Sequence, residues 1–209
     1  MANRDHTLDG RIDAAAMQEF LRDGYEKASL RKIAAAAEVT IGAIYTRYRT
    51  KDELFCALVQ PLIQRIGQTF ERLRQQYYGS TGEPRPEQLA ASMQMESNAI
   101  LHLLFDDYDR AMLLLCRSAG SSLETFFDQL VDRKVAETLD FFKKAGQTGL
   151  DPRVIRLLTA GQFQMYEQVL REDCSLDDAR AMMDAAICYH TGGWLALLGL
   201  SGQAGKQEV

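Results

Sequence analysis

The residue types best suited to recognition chemistry cluster between Ser29 and Lys51. The run Thr40-Ile-Gly-Ala-Ile-Tyr-Thr-Arg-Tyr48 places small residues first, then hydroxyls, a guanidinium and two phenols. On a helix that enters a major groove, Gly42 and Ala43 allow close approach to base edges, and Ile41 or Ala43 suits a thymine methyl. Tyr45, Thr46, Arg47 and Tyr48 carry donors suited to phosphate, which sets register rather than sequence. Lys51 opens the next helix, where a free backbone N–H and a cation meet one phosphate. The candidate DNA contacts are Ser29, Thr40, Ile41, Gly42, Ala43, Tyr45, Thr46, Arg47, Tyr48 and Lys51. The two tyrosines also have a packing alternative, the stronger one for Tyr48.

Such residues need elements to hold them. Ser29 and Thr40 are expected N-caps of two short helices, over Leu30–Ala36 and from Thr40 to Tyr48. Ala34 is small enough for a close, steep crossing, and Ile33, Val39 and Ile44 stand where apolar residues pin the angle of a helix-turn-helix. Before them, Leu8–Arg22 puts Ile12, Ala15, Ala16 and Phe20 on one face, and Gly24-Tyr25 ends that helix. After them, Thr50 caps a fourth helix whose first turn is acidic, Asp52-Glu53. Three packed helices with no DNA role are the bland alternative for this segment.

From Ile12 to Phe55 the ordered set resembles the tetracycline-repressor (TetR) family of transcriptional regulators. It runs through Ala15-Ala16, Phe20, Gly24-Tyr25, Ser29-Leu30, Ile33-Ala34, Val39-Thr40, Gly42-Ala43-Ile44-Tyr45, Tyr48, Lys51-Asp52-Glu53-Leu54 and Phe55. The resemblance covers about a quarter of the chain. It implies DNA binding, an Ω-shaped homodimer, a C-terminal ligand-binding domain, and pairing of the last two helices with their mates in a four-helix bundle. One residue departs from the pattern. Glu38 stands where the family usually has Gly, at a cost on the order of 1 kcal/mol if the turn is left-handed.

The whole chain sets the frame. It has 209 residues, 46% hydrophobic and 25% charged, with a net charge of −5. Between Glu26 and Lys51, however, six cations face two anions, so the acidic excess lies elsewhere. No apolar run is long enough to span a membrane, and the N-terminus lacks a signal core, so a cytoplasmic location is expected. Cys56, Cys116, Cys174 and Cys188 lack metal-ligand spacing and are expected to be buried thiols, with no metal or cofactor. The periodicity is helical almost throughout, and an all-α fold of about nine helices is expected. The expected division is a helix-turn-helix domain over 1–52, a helical ligand-binding and dimerisation domain over 53–200, and a disordered tail over 201–209. Loop signals fall at Gly79–Pro86 and Gly146–Gly149, Asp151-Pro152 starts a helix, and Pro61 should kink or divide the fourth helix.

The final helix carries an apolar stripe broader than one core face requires. Leu158, Gly161, Met165, Val169, Met183, Ala186, His190, Gly193, Trp194 and Leu197 are the candidate dimer contacts. An intrachain core helix is the alternative. Phe70, Met95, His102, Phe105, Met112, Cys116, Phe126, Phe127, Gln162, Phe163 and Tyr166 are candidates to line a pocket for a moderately large apolar ligand. Together these features describe a homodimeric repressor that binds a palindromic double-stranded operator and is released by a small-molecule effector. An activator, or a regulator dependent on a corepressor, uses the same parts. An all-helical enzyme lacks any supporting motif here, and a protein-interaction scaffold is the remaining class.

Overall fold

The structure, a computed structural model, describes residues 6–78, 86–144 and 149–199. Nine α-helices make up the regular structure among them: α1 (His6–Lys27), α2 (Leu30–Ala36), α3 (Ile41–Arg47), α4 (Lys51–Tyr78), α5 (Pro86–Asp106), α6 (Tyr108–Cys116), α7 (Phe126–Lys144), α8 (Pro152–Arg171) and α9 (Leu176–Leu197). The expectations for the 79–85 loop, for 146–148 and for the 201–209 tail fall outside the described residues.

Two compact units are present, Met1–Arg65 with Asp107–Phe126, and Ile66–Asp106 with Phe127–Val209. In the first, Ile12, Ala16 and Phe20 form a fully buried stripe on α1. Phe20, Tyr25 and Phe55 pack ring on ring, Phe55 standing edge-on to Phe20 at 5.1 Å and to Tyr25 at 5.2 Å. Gly24 interrupts the helical backbone at φ 73°, ψ 165°, a conformation natural to glycine. Its successor Tyr25 donates its N–H to the Arg117 carbonyl at 2.9 Å. The unit extends past residue 52 because Leu54, Phe55, Leu58, Val59 and Leu62 of α4 are all buried, and because α6 packs on α1.

Pro61 does not divide α4. Ala57, whose carbonyl loses its helical donor there, is exposed, as is Pro61, so the carbonyl is open to solvent. α7 begins at Phe126, after Ser118–Thr125 forms turns held by α4. Ser122 donates its N–H and its hydroxyl to the Asp52 carboxylate at 2.8 and 2.7 Å. Burial pushes the Asp52 carboxyl up, but these bonds outweigh it and hold the group below its ordinary value.

In the second unit α9 lies along α5 and on α8. Asp151 and Ser175 cap α8 and α9, accepting from Arg153 N–H at 2.8 Å and Asp178 N–H at 3.2 Å. The cysteines are not buried as expected. Cys56, Cys116 and Cys174 are half-buried free thiols, and Cys188 is exposed because it lies on the outer side of α9.

Candidate nucleic-acid interface

α3 is built to show one face. Thr40 is its N-cap, and its hydroxyl accepts the Ala43 N–H at 3.1 Å. Ile44 is fully buried beside Ile33 and anchors the helix from below. The 3.6-residue period then turns Ile41, Gly42 and Tyr45 outward, with Tyr45 50% exposed. Thr40 and Thr46 are exposed on either side, and the Thr46 hydroxyl donates back to the Gly42 carbonyl at 2.8 Å. Ala43 is half-buried. The outward face is therefore uncharged, small at its start and aromatic at its middle.

Three of the expected phosphate contacts turn inward. Arg47 forms an ion pair with Asp9 of α1, and the Tyr48 hydroxyl donates to Asp13 at 2.9 Å. Lys51 donates to the carbonyls of Tyr25, Glu26 and Ala28 at 2.7, 3.1 and 3.3 Å, and its ammonium lies 4.4 Å from the centre of the Tyr25 ring. The last carbonyls of a helix lack partners, and a cation is the natural group to meet them. Ser29 caps α2 in position only. Its side chain makes no capping bond, and its N–H donates instead to the buried Glu19 carboxylate at 3.1 Å. Arg22 and Lys32 hold that carboxylate.

The turn carries the departure noted in the sequence. Glu38 is left-handed, with φ 52°. Arg11 reaches it from α1 and donates to its carboxylate at 3.0 Å and its backbone carbonyl at 3.3 Å. Asp9, Arg11 and Asp13 therefore tie α1 to three points of the helix-turn-helix: the end of α3, the turn, and the residue after α3.

Charge is redistributed accordingly. With Lys32, Arg47 and Lys51 engaged, the exposed cations of the segment without an ion pair among the described residues are Lys27, Arg31 and Arg49. Sequence reasoning passed over Arg31 and Arg49. Arg31 lies on α2 at the edge of the stripe formed by Ile33, Ala34 and Ala37 and is exposed.

Residues 12–58 match the family model described as bacterial regulatory proteins, tetR family. The likeness to the tetR family lies in this segment. Over 73 residues it is 38% identical to the HTH-type nicotine-responsive transcriptional repressor HdnoR of Paenarthrobacter nicotinovorans, a match spanning 34% of this chain and 37% of that protein. The fold is similar to that of a TetR-like transcriptional regulator from Rhodococcus sp. RHA1, with a TM-score of 0.60 at 19% identity over 92% of this chain and 96% of the other. It is similar as well to FadR of Bacillus subtilis in complex with stearoyl-CoA, with a TM-score of 0.60 at 19% identity over 88% and 98%.

Beyond the tetR-family segment, the second unit contains a small apolar cleft with a volume of about 20 Å³. Phe70, Phe127, Phe163 and Tyr166, four of the candidate pocket residues, line it together with Thr69 and apolar residues of α4, α5 and α7. Phe70 stacks on Phe163 at 6.1 Å, and Phe127 and Tyr166 stand edge-on to Phe163 at 5.7 and 6.3 Å. The other candidates lie elsewhere. Met95 is 53% exposed, and His102 is exposed and hydrogen-bonded to Arg180 at 2.9 Å. Met112, Cys116 and Phe126 belong to the first unit. Phe105 and Gln162 are half-buried and do not line the cleft. Ile100, Leu103 and Leu104, which the sequence reading missed, were legible as an i, i+3, i+4 apolar set on α5.

The broad stripe of α9 resolves into two faces. Met183, His190 and Trp194, with Val169 of α8, are buried within the chain. Leu158, Gly161, Met165 and Ala186 are half-buried, while Gly193 and Leu197 are exposed. The outer face also carries Met182 and Tyr189, and on α8 Val154 and Leu157, with Tyr189 79% and Leu157 72% exposed. These four follow from the same period, one face over from the core residues.

Proposed function

We propose that the chain is a homodimeric, cytoplasmic transcriptional repressor that binds a palindromic duplex operator and is released by a small-molecule effector. The observation that carries this is the outward face of α3: Thr40, Ile41, Gly42, Tyr45 and Thr46 stand clear of the core while Ile44 anchors the helix. A helix so held presents its N-terminal residues to base edges. Ile41 and Gly42 read sequence, and Tyr45 with Arg31, Arg49 and Lys27 supplies the phosphate contacts. The operator is matched by two copies, because two half-sites one helical turn apart multiply affinity and specificity.

The second copy packs on the outer face of α8 and α9, around Leu157, Tyr189, Gly193 and Leu197. Large apolar side chains this exposed, on two helices that pack together, favour burial against a like surface. The aromatic cleft of the second unit takes the effector. HdnoR, named as nicotine-responsive, and FadR, in complex with stearoyl-CoA, support an effector role for the cleft here. Each tenfold fall in operator affinity requires about 1.4 kcal/mol of coupling between cleft and DNA.

The test is selection of genomic duplex fragments by the purified protein, followed by affinity measurement across salt. An enriched two-fold-symmetric site whose affinity falls steeply with salt is expected. Failure to enrich any sequence at low salt counts against the proposal. In the same preparation Leu157→Asp with Tyr189→Asp should give a folded monomer by analytical ultracentrifugation. A dimer that survives both changes places its interface elsewhere.

A further inference from the structure

The outward face of α3 carries no side chain that reads a base through paired hydrogen bonds. In a major groove the discriminating groups are a guanidinium or ammonium on guanine, an amide on adenine and a carboxylate on cytosine. None of these stands among Thr40, Ile41, Gly42, Tyr45 and Thr46. Arg47 carries the one guanidinium of the helix, and its side chain is only 13% exposed. It is paired with Asp9 and donates to the Ala43 carbonyl at 3.3 Å. Both threonine hydroxyls are engaged within the helix. That of Thr40 accepts the Ala43 N–H, and that of Thr46 donates to the Gly42 carbonyl. Neither is free to take the geometry that a base edge dictates.

The face is instead apolar and open. Ile41 begins α3 and is 38% exposed, a large β-branched side chain left outside the core. Ala43, the other candidate for a thymine methyl, is half-buried, which leaves Ile41. Gly42 lies on a regular helical backbone that does not require glycine. A Cβ there would stand 3.7 Å from the Thr40 hydroxyl oxygen, in ordinary contact. Glycine weakens a helix relative to alanine, so nothing within the chain favours it here. A partner surface that approaches the backbone closely does favour it.

We infer that α3 reads one thymine in each half-site through its C5-methyl group, with Ile41 as the specificity-determining residue. This rests on the operator reading above and names the base that the operator must contain. The thymine methyl is the one apolar group that the four bases present in the major groove. Ile41 covers it, and the bare backbone at Gly42 lets the helix sit deep enough for the two to touch. Burying one methyl contributes about fourfold in affinity, so the same thymine in both half-sites contributes about fifteenfold. Cytosine methylated at C5 presents a methyl at the same place and gains by the same contact.

The experiment uses the full chain and the duplex that it selects from genomic fragments, with affinity read by fluorescence anisotropy at fixed salt. Deoxyuridine replaces each thymine in turn, in both half-sites together, which deletes the methyl group alone. One thymine per half-site should stand out, with a loss of about fifteenfold. At that position 5-methylcytosine should bind more tightly than cytosine by a similar factor. Ile41→Ser should bind the thymine and deoxyuridine duplexes equally. Gly42→Leu should lower affinity by about tenfold or more without lowering the melting temperature. A selected half-site without thymine, a loss below about threefold at every thymine, or no gain from 5-methylcytosine would overturn the inference. So would a deoxyuridine effect undiminished in Ile41→Ser, or full affinity in Gly42→Leu. The base-analogue measurements use the unaltered protein, so they decide the matter even where a variant does not fold. A selected site indifferent to deoxyuridine removes this inference alone. Selection of no sequence removes the operator reading, and this inference with it.

Discussion

Replacing Glu38 by Gly tests how the turn of the helix-turn-helix is held. Glu38 sits at φ 52°, where a side chain costs on the order of 1 kcal/mol and glycine costs nothing. Against that stands its ion pair with Arg11, whose side chains are 47% and 85% exposed. A pair so open to water contributes about 0.5 kcal/mol. Glu38→Gly should therefore raise stability by about 0.5 kcal/mol. Arg11→Ala should lower it by a similar amount, and the double variant should show a coupling of about 0.5 kcal/mol. The assay is urea unfolding of the four proteins, with the slope checked for constancy. DNA affinity should change more than stability. Glu38→Gly removes an anion beside the outward face and frees the Arg11 guanidinium, so affinity should rise and the salt slope steepen by up to about one unit. Loss of more than about 1 kcal/mol in Glu38→Gly would refute the reasoning, since the turn would then depend on the carboxylate rather than tolerate it. Zero coupling with Arg11 would show that the pair does not form.

Other expectations follow from the inward-facing groups. Lys51→Met should cost about 2 kcal/mol by calorimetry, because three carbonyls lose a charged donor, and should leave the salt slope of DNA binding unchanged. A slope lower by about one unit would mean that Lys51 meets phosphate after all. Tyr166→Phe should leave stability unchanged or raise it by up to about 1 kcal/mol, since it deletes a buried hydroxyl with no hydrogen bond of good geometry among the described residues, Ser97 being its polar neighbour. A clear loss of melting temperature would reveal a partner for that oxygen. His190 is buried with Nε2 unpaired among the described residues, and burial lowers its pKa from the ordinary value of 6.5. The unfolded chain then binds the proton more readily than the folded one. Stability should be full above about pH 6.5 and fall as the pH drops below it, levelling off under the depressed folded-state value. His190→Leu should flatten that part of the curve, and an unchanged curve would assign the dependence to other groups.

The helix-turn-helix was the most legible part because its evidence is local. Caps, small residues and apolar spacing act within a few residues, so Thr40, Ala34, Ile33 and Ile44 could be assigned roles from order alone. Glu38 was legible for the same reason, since a left-handed turn position is a property of the backbone. The intrachain partners of Arg47, Tyr48 and Lys51 were not legible because they are distant in sequence. Asp9 and Asp13 precede them by 38 and 35 residues, and the Tyr25 carbonyl precedes Lys51 by 26. A cation near a recognition helix looks alike on paper whether it meets a phosphate or a helix end.

For the second unit the order of helices, their caps and their apolar faces could be read from the sequence, because amphipathic period and capping chemistry are written along the chain. Which apolar face meets which was decided only by tertiary packing. Phe70, Phe127, Phe163 and Tyr166 come from three helices, and nothing in their spacing separates them from Met112 or Phe126. The same holds for α9, where Met183 and Tyr189 are six residues apart on one apolar stripe and end on opposite sides of it. Periodicity states that a side chain is apolar and where it lies around its helix. Only the neighbours that cover it determine whether it becomes core, cleft or contact surface.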